Sequence, residues 1–106
     1  MATGRLGTTA LAATTLTTVY TVPTGNYAVC NVSFTNTTTS PVTIRLAMAS
    51  TGTPSASEYI EYDTTIVAKG VFERTALVMQ AGLNLVAYSS ASGVNVNVYG
   101  IETSTS

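Results

Sequence analysis

Groups able to carry chemistry are few in this sequence and poorly matched. Histidine, the commonest general acid or base, is absent from the 106 residues. Serine and threonine are abundant, but a hydroxyl nucleophile needs an adjacent base to take its proton. Neither the single cysteine, Cys30, nor the single lysine, Lys69, has a nucleophile motif around it. Carboxylates cluster once, as Glu58, Glu61 and Asp63. Glu58 and Glu61 are three apart, so a strand sends them to opposite faces, whereas Glu61 and Asp63 share one. These oxygens suit a calcium ion at most; a solvated, salt-bridged strand edge is the simpler expectation. Glycine-rich phosphate loops and metal-ligand spacings are missing. The expectation is a protein that is not an enzyme and carries no cofactor or metal.

Binding chemistry is the alternative to catalysis. Sugars stack on aromatic rings, and the chain offers six tyrosines and no tryptophan. Tyr59 and Tyr62 are expected on opposite faces of their strand, and Tyr20, Tyr27, Tyr88 and Tyr99 read as core or interface packing. Phosphate contacts require Lys and Arg. Arg5, Arg45, Lys69 and Arg74 are scattered, so no nucleic-acid partner is expected. No apolar run approaches the roughly 18 residues of a spanning helix, so no membrane partner is expected either. Met1-Ala-Thr-Gly-Arg-Leu6 lacks the apolar core of a signal peptide. Cys30 at an inward position behaves as a small hydrophobe, in keeping with folding in a reducing cytoplasm. The sequons Asn31-Val-Ser33 and Asn36-Thr-Thr38 carry no weight without a secretory route.

The elements that would position these groups are strands. The stretch Thr17 to Phe34 holds two β-rich runs around the breaker Pro23-Thr-Gly-Asn26. In the second run Ala28, Cys30, Val32 and Phe34 share one face at period two. Asn31, Ser33 and Thr35 share the other, with Tyr27 and Val29 as apolar exceptions. Val42, Ile44, Leu46 and Met48 alternate in the same way, as do Val94, Val96 and Val98. Further strands are predicted at Glu58–Tyr62, Val71–Met79 (with mixed faces) and Leu83–Tyr88. Asp63-Thr64 reads as a turn, with Thr65–Ala68 extended beyond it. The last strand is predicted to end near Ile101, before a polar tail from Glu102 to Ser106. Helical periodicity is absent. Seven to eight short strands predict an all-β fold, a single antiparallel β-sandwich of jelly-roll or immunoglobulin-like topology. The expected core is Cys30, Val32, Phe34, Ile44, Leu46, Val96 and Val98.

Composition bears on the surface. Charged residues are 8% of the chain, against about 25% in a typical soluble domain. Threonine makes up roughly a fifth of the residues, far above its usual share. A net charge of −1 gives little repulsion between copies. Charge is depleted at the centres of interfaces, so the expectation is an assembly subunit. Residues 1–15 have small side chains and no period, and are expected to form an extended N-terminal arm to a β-sandwich domain at 16–106. Arg5, Leu6 and Leu11 are its candidate partner-binding residues, docking on a neighbour by strand addition.

The pattern Gly4-Arg-Leu-Gly, Leu11-Ala-Ala, Val19-Tyr-Thr-Val-Pro23-Thr-Gly25, Ala28-Val29, Asn31-Val and Asn36, with Ala81-Gly-Leu and Val98-Tyr-Gly-Ile101, resembles small structural proteins of tailed bacteriophage virions. The resemblance implies a non-enzymatic β-sandwich in many copies on a virion, made in the host bacterial cytoplasm. Capsid decoration or cement protein is the leading expectation. A neck, tail or fibre component with a host-glycan-binding role is the alternative. Implied partners are itself, as a homo-oligomer with a trimer favoured, and other virion proteins such as the major capsid protein. No active site comes with the resemblance.

Overall fold

The computed structural model describes residues 3–104. Eight strands are formed among them: β1 (Thr3–Leu11), β2 (Thr17–Thr21), β3 (Asn26–Asn36), β4 (Val42–Ala49), β5 (Tyr59–Ile66), β6 (Val71–Met79), β7 (Asn84–Ser89) and β8 (Val94–Ser104). One sheet has the order β1-β8-β3-β6 and the other β2-β7-β4-β5, with all neighbours antiparallel. The chain changes sheet at every connection except β4 to β5. This is jelly-roll order, one of the two topologies that the strand count left open.

Alternation builds the core. Side chains of successive strand residues point to opposite faces, so each sheet turns one apolar row inward. Ala28, Cys30, Val32 and Phe34 of β3 and Val94, Val96 and Val98 of β8 meet Ile44, Leu46, Leu85 and Ala87 from the other sheet, all fully buried. All seven residues expected in the core lie there. Pro23 closes β2 and Gly25, at φ +85°, supplies the left-handed residue of the reversal into β3.

The segment expected to be an arm is extended, but it lies in its own sandwich. Residues from Thr3 to Leu11 register along β8 from Ile101 to Val94, and Leu11 is buried in the core. Met1 and Ala2 lie outside the described residues. Gly7 of β1 has a steric cause: a Cβ there would stand 2.5 Å from the carbonyl oxygen of Val19. Only glycine lets β1 approach β2 so closely. Beyond β1, Ala13 bridges Ser89 and the Thr14 amide donates to the Ser89 carbonyl. The sandwich therefore begins before residue 16. At the other end β8 runs to Ser104 rather than stopping near Ile101, because Asn26, Tyr27 and Ala28 of β3 pair with Ser104, Thr103 and Glu102; Thr105 and Ser106 lie outside the described residues.

Extra residues reset the parity of four strands. Register slips at Leu6 in β1, at Val19 in β2 and near Ala76 in β6. In β5 the expected turn at Asp63 is a bulge within a continuous strand. Asp63 and Ala76 take φ of +53° and +58°, as a bulge that inserts one residue allows. A one-residue insertion moves every later side chain to the other face, which explains the mixed faces of β6.

One buried polar group ties the corner where the sheets meet. Asn36 is fully buried at the end of β3. Its Nδ2 donates to the carbonyls of Ser40, Ile66 and Val67 at 2.9, 3.2 and 3.1 Å. Its Oδ1 accepts from the Thr38 amide and hydroxyl. The amide holds the β3–β4 turn against the end of β5, and a buried amide is stable only when satisfied in this way.

Replacing Leu46 by Ala removes side-chain volume from the centre of this core. The expected loss is about 2–5 kcal/mol of unfolding free energy, read as a lower urea midpoint at unchanged slope.

Candidate binding surfaces

Two surfaces display chemistry, one on the outer face of each sheet. The first is a tyrosine–arginine cluster on the β2-β7-β4-β5 sheet. Arg45 of β4 points outward and pairs across strands with Tyr88 of β7. Its guanidinium lies 4.2 Å from the centre of the Tyr62 ring and 4.6 Å from that of Tyr88, in cation–π range of both. Arg45 Nε donates to Asp63 Oδ1 at 2.7 Å, and that hydrogen bond holds the guanidinium more firmly protonated. Tyr59 meets Tyr62 edge-on, with ring centres 5.1 Å apart. Tyr62 is 59% exposed.

The two tyrosines were expected on opposite faces. The register break between Leu46 and Ala47, paired with Glu61 and Tyr59, adds a residue between them and brings both outward. Tyr59 also covers Ala47, Ala49 and Val86, a small apolar cluster on this outer face. The adjoining loop is closed by Glu58, whose carboxylate accepts the amides of Ser55 and Ser50 at 2.9 and 3.1 Å. Those amides depress its pKa.

A second break in β5, between Ile44 and Leu46 opposite Thr64 and Glu61, parts the carboxylates expected to share a face. Asp63 turns out to Arg45, while Glu61 accepts from Arg74 at 2.7 Å and from Thr64 at 2.8 Å. Arg74 lies on β6, so this ion pair bridges the two sheets along their open side. Among the described residues, no three His, Cys, Asp or Glu side chains gather as a metal-binding group.

The second surface is an apolar row on the outer face of the β1-β8-β3-β6 sheet. Val78, Val29 and Ile101 are cross-strand neighbours on β6, β3 and β8. Val78 is 65% and Ile101 47% exposed, with Tyr27 of β3 exposed beside them. A neighbouring row is polar: Tyr99 of β8 donates to Glu73 of β6 at 2.6 Å, which raises the tyrosine pKa. Asn31 Oδ1 accepts the Ala76 amide. Tyr27 and Val29 were visible in the sequence as apolar exceptions on a polar face, and that was the available signal for this row.

The three candidate anchors separate. Leu11 is buried in its own core, so its side chain is not free to hold a neighbour, and Leu6 is partly buried against the same core. Arg5 is exposed opposite Tyr99, on the same face as the apolar row. Among the described residues, Arg5 is the cation without an ion pair or hydrogen bond: Arg45 and Arg74 hold carboxylates, and Lys69 donates to the Thr37 carbonyl.

No family model matches the chain, and no curated protein matches it.

Burial raises the Cys30 thiol to about 11, and burial with the Glu102 hydrogen bond raises Tyr20 further still. An acid whose pKa is higher folded than unfolded contributes stability in full below its unfolded value, about 8.5 for cysteine. That contribution is lost as pH rises through the folded value. Urea stability should therefore decline between pH 8.5 and pH 11, and Cys30→Ala should flatten that part of the profile. An unchanged slope in the variant would assign the decline to other groups.

Proposed function

We propose that this chain is a non-enzymatic structural protein of a tailed-bacteriophage virion, a capsid decoration or cement protein that acts as a homo-oligomer on the major capsid protein. The observation that carries this reading is the outward apolar row in which half-buried Val29 lies between exposed Val78 and Ile101. Contiguous exposed apolar surface is a feature of interaction sites, and here it accompanies a charged fraction of only 8%. The sequence resemblance supplies the virion setting. Jelly-roll order is compatible with that setting but also serves lectins and enzymes, so the fold alone does not choose.

The contact surface in this reading is a sheet face and not the N-terminal segment. Leu11 is committed to the core, and both edges that β1 and β6 present are interrupted by bulges. Bulged edges resist strand addition from a neighbour.

A second reading has its own support. Tyr59, Tyr62, Tyr88, Arg45 and Asp63 together offer an aromatic surface beside polar hydrogen-bonding groups, the composition that binds sugars. It suits a tail or fibre component with host-glycan affinity.

Copy number separates the two. Gel densitometry of purified particles should give hundreds of copies for a decoration protein; a handful of copies would overturn that assignment in favour of a fibre tip. In the second reading Tyr62→Ala removes glycan binding and leaves the far-ultraviolet circular dichroism spectrum unchanged.

A further inference from the structure

We propose that two copies of this chain pair face to face through the outer surface of the β1-β8-β3-β6 sheet, about a two-fold axis running between β3 and β8 parallel to the strands. This rests on the assembly-subunit reading above and adds to it the face, the partner and the symmetry.

The cross-strand rows determine the axis. Reading β1-β8-β3-β6 along one row gives Thr3, Ile101, Val29 and Val78. A two-fold axis between β8 and β3 reverses that order in the facing copy and keeps the level along the strands. Ile101 then lies over the partner's Val29, and Val29 over the partner's Ile101. An isologous interface requires this reciprocity, and the two most central members of the row provide it. The next row gives Arg5, Tyr99 and Asn31, and the one beyond gives Thr8, Asn97, Ser33 and Glu73. In the pair, polar Asn97 faces the partner's Ser33, so the central positions match apolar to apolar and polar to polar, while Val78 lies at the rim over the partner's Thr3.

Charge points to the same axis. Arg5 on β1 comes to lie over β6 of the partner, two residues along from the partner's Glu73, or about 7 Å at the strand rise. The Tyr99 hydrogen bond draws Glu73 toward the row of Arg5 and shortens that gap. An axis perpendicular to the strands would instead set β1 over β1 and β6 over β6, leaving Arg5 far from any carboxylate of this face. Strands of the two copies run nearly aligned, the ordinary geometry for stacked sheets. The pairing joins copies two at a time, so a trimeric ring would need a different surface.

Sedimentation velocity on the full chain over a concentration series tests this. The wild-type chain should dimerise, and Ile101→Lys should leave a monomer. Arg5→Glu alone and Glu73→Arg alone should each raise the dissociation constant about tenfold or more, since each sets like charges together across the pair. The double variant Arg5→Glu/Glu73→Arg should return to within about threefold of wild type, because opposite charges meet again. All three positions are on the surface, and unchanged circular dichroism confirms the fold of each variant. A double variant no tighter than the single ones overturns the proposal. An oligomer insensitive to every variant overturns this face and leaves the assembly reading standing. A monomer at all concentrations also overturns the pairing, and copy number on particles then decides the assembly reading by itself.

Discussion

Burial of one apolar layer between two four-stranded sheets is the interaction on which the rest of this molecule depends. Phe34, Ile44, Leu46, Leu85, Val96 and Val98 are all fully buried in that layer. Burying a large aliphatic side chain contributes about 1.5–3 kcal/mol, more than a partly exposed ion pair such as Arg45–Asp63 or Arg74–Glu61 supplies. Every inward position must then be apolar or satisfied. Asn36 obeys the rule through its hydrogen bonds to Ser40, Ile66, Val67 and Thr38, and Ser89 through its bond to the Ala91 carbonyl.

The bulges decide what the outside displays. β1, β2, β5 and β6 are the four edge strands, and each carries a register break. Without the inserted residue near Ala76, Leu77 and Met79 would face solvent and Val78 the core. Without the irregularities in β5, Tyr59 and Tyr62 would part, and Arg45 would lose one of its two rings. The same insertions disrupt the ladders that a neighbouring strand would need. The edges are thus interrupted by bulges while one sheet face keeps an apolar row, the surface on which the proposed pairing rests.

Strand existence and the core were legible in the sequence because period-two alternation is strong in β3, β4 and β8. Phe34, Leu46 and Val98 could be placed from parity alone. β1 was not legible as a strand. Gly7 is required by the approach to Val19, and the threonines, alanine and glycines of the strand give no apolar periodic signal. The candidate surfaces were half legible. Tyr27 and Val29 broke the polar face of β3 openly, whereas Val78 and Ile101 join them only through cross-strand register. The tyrosine cluster was hidden by spacing: residues three apart on a regular strand diverge, and nothing local announces the bulge that reunites Tyr59 with Tyr62. Asp63 occupies a left-handed position that aspartate tolerates better than most residues, so a turn and a bulge share one local signal there.

The central claim is that the chain completes its own sandwich with its N-terminal strand, so that the proposed association uses a sheet face and not an arm. Hydrogen–deuterium exchange of the segment Thr3–Leu11, followed at decreasing protein concentration, tests this most directly. The β1 amides bonded to β8 should stay protected at every dilution, because their partners are in the same molecule. Exchange at unfolded-chain rates in dilute solution, with protection returning only as copies associate, would contradict the claim and restore the segment as an intermolecular arm.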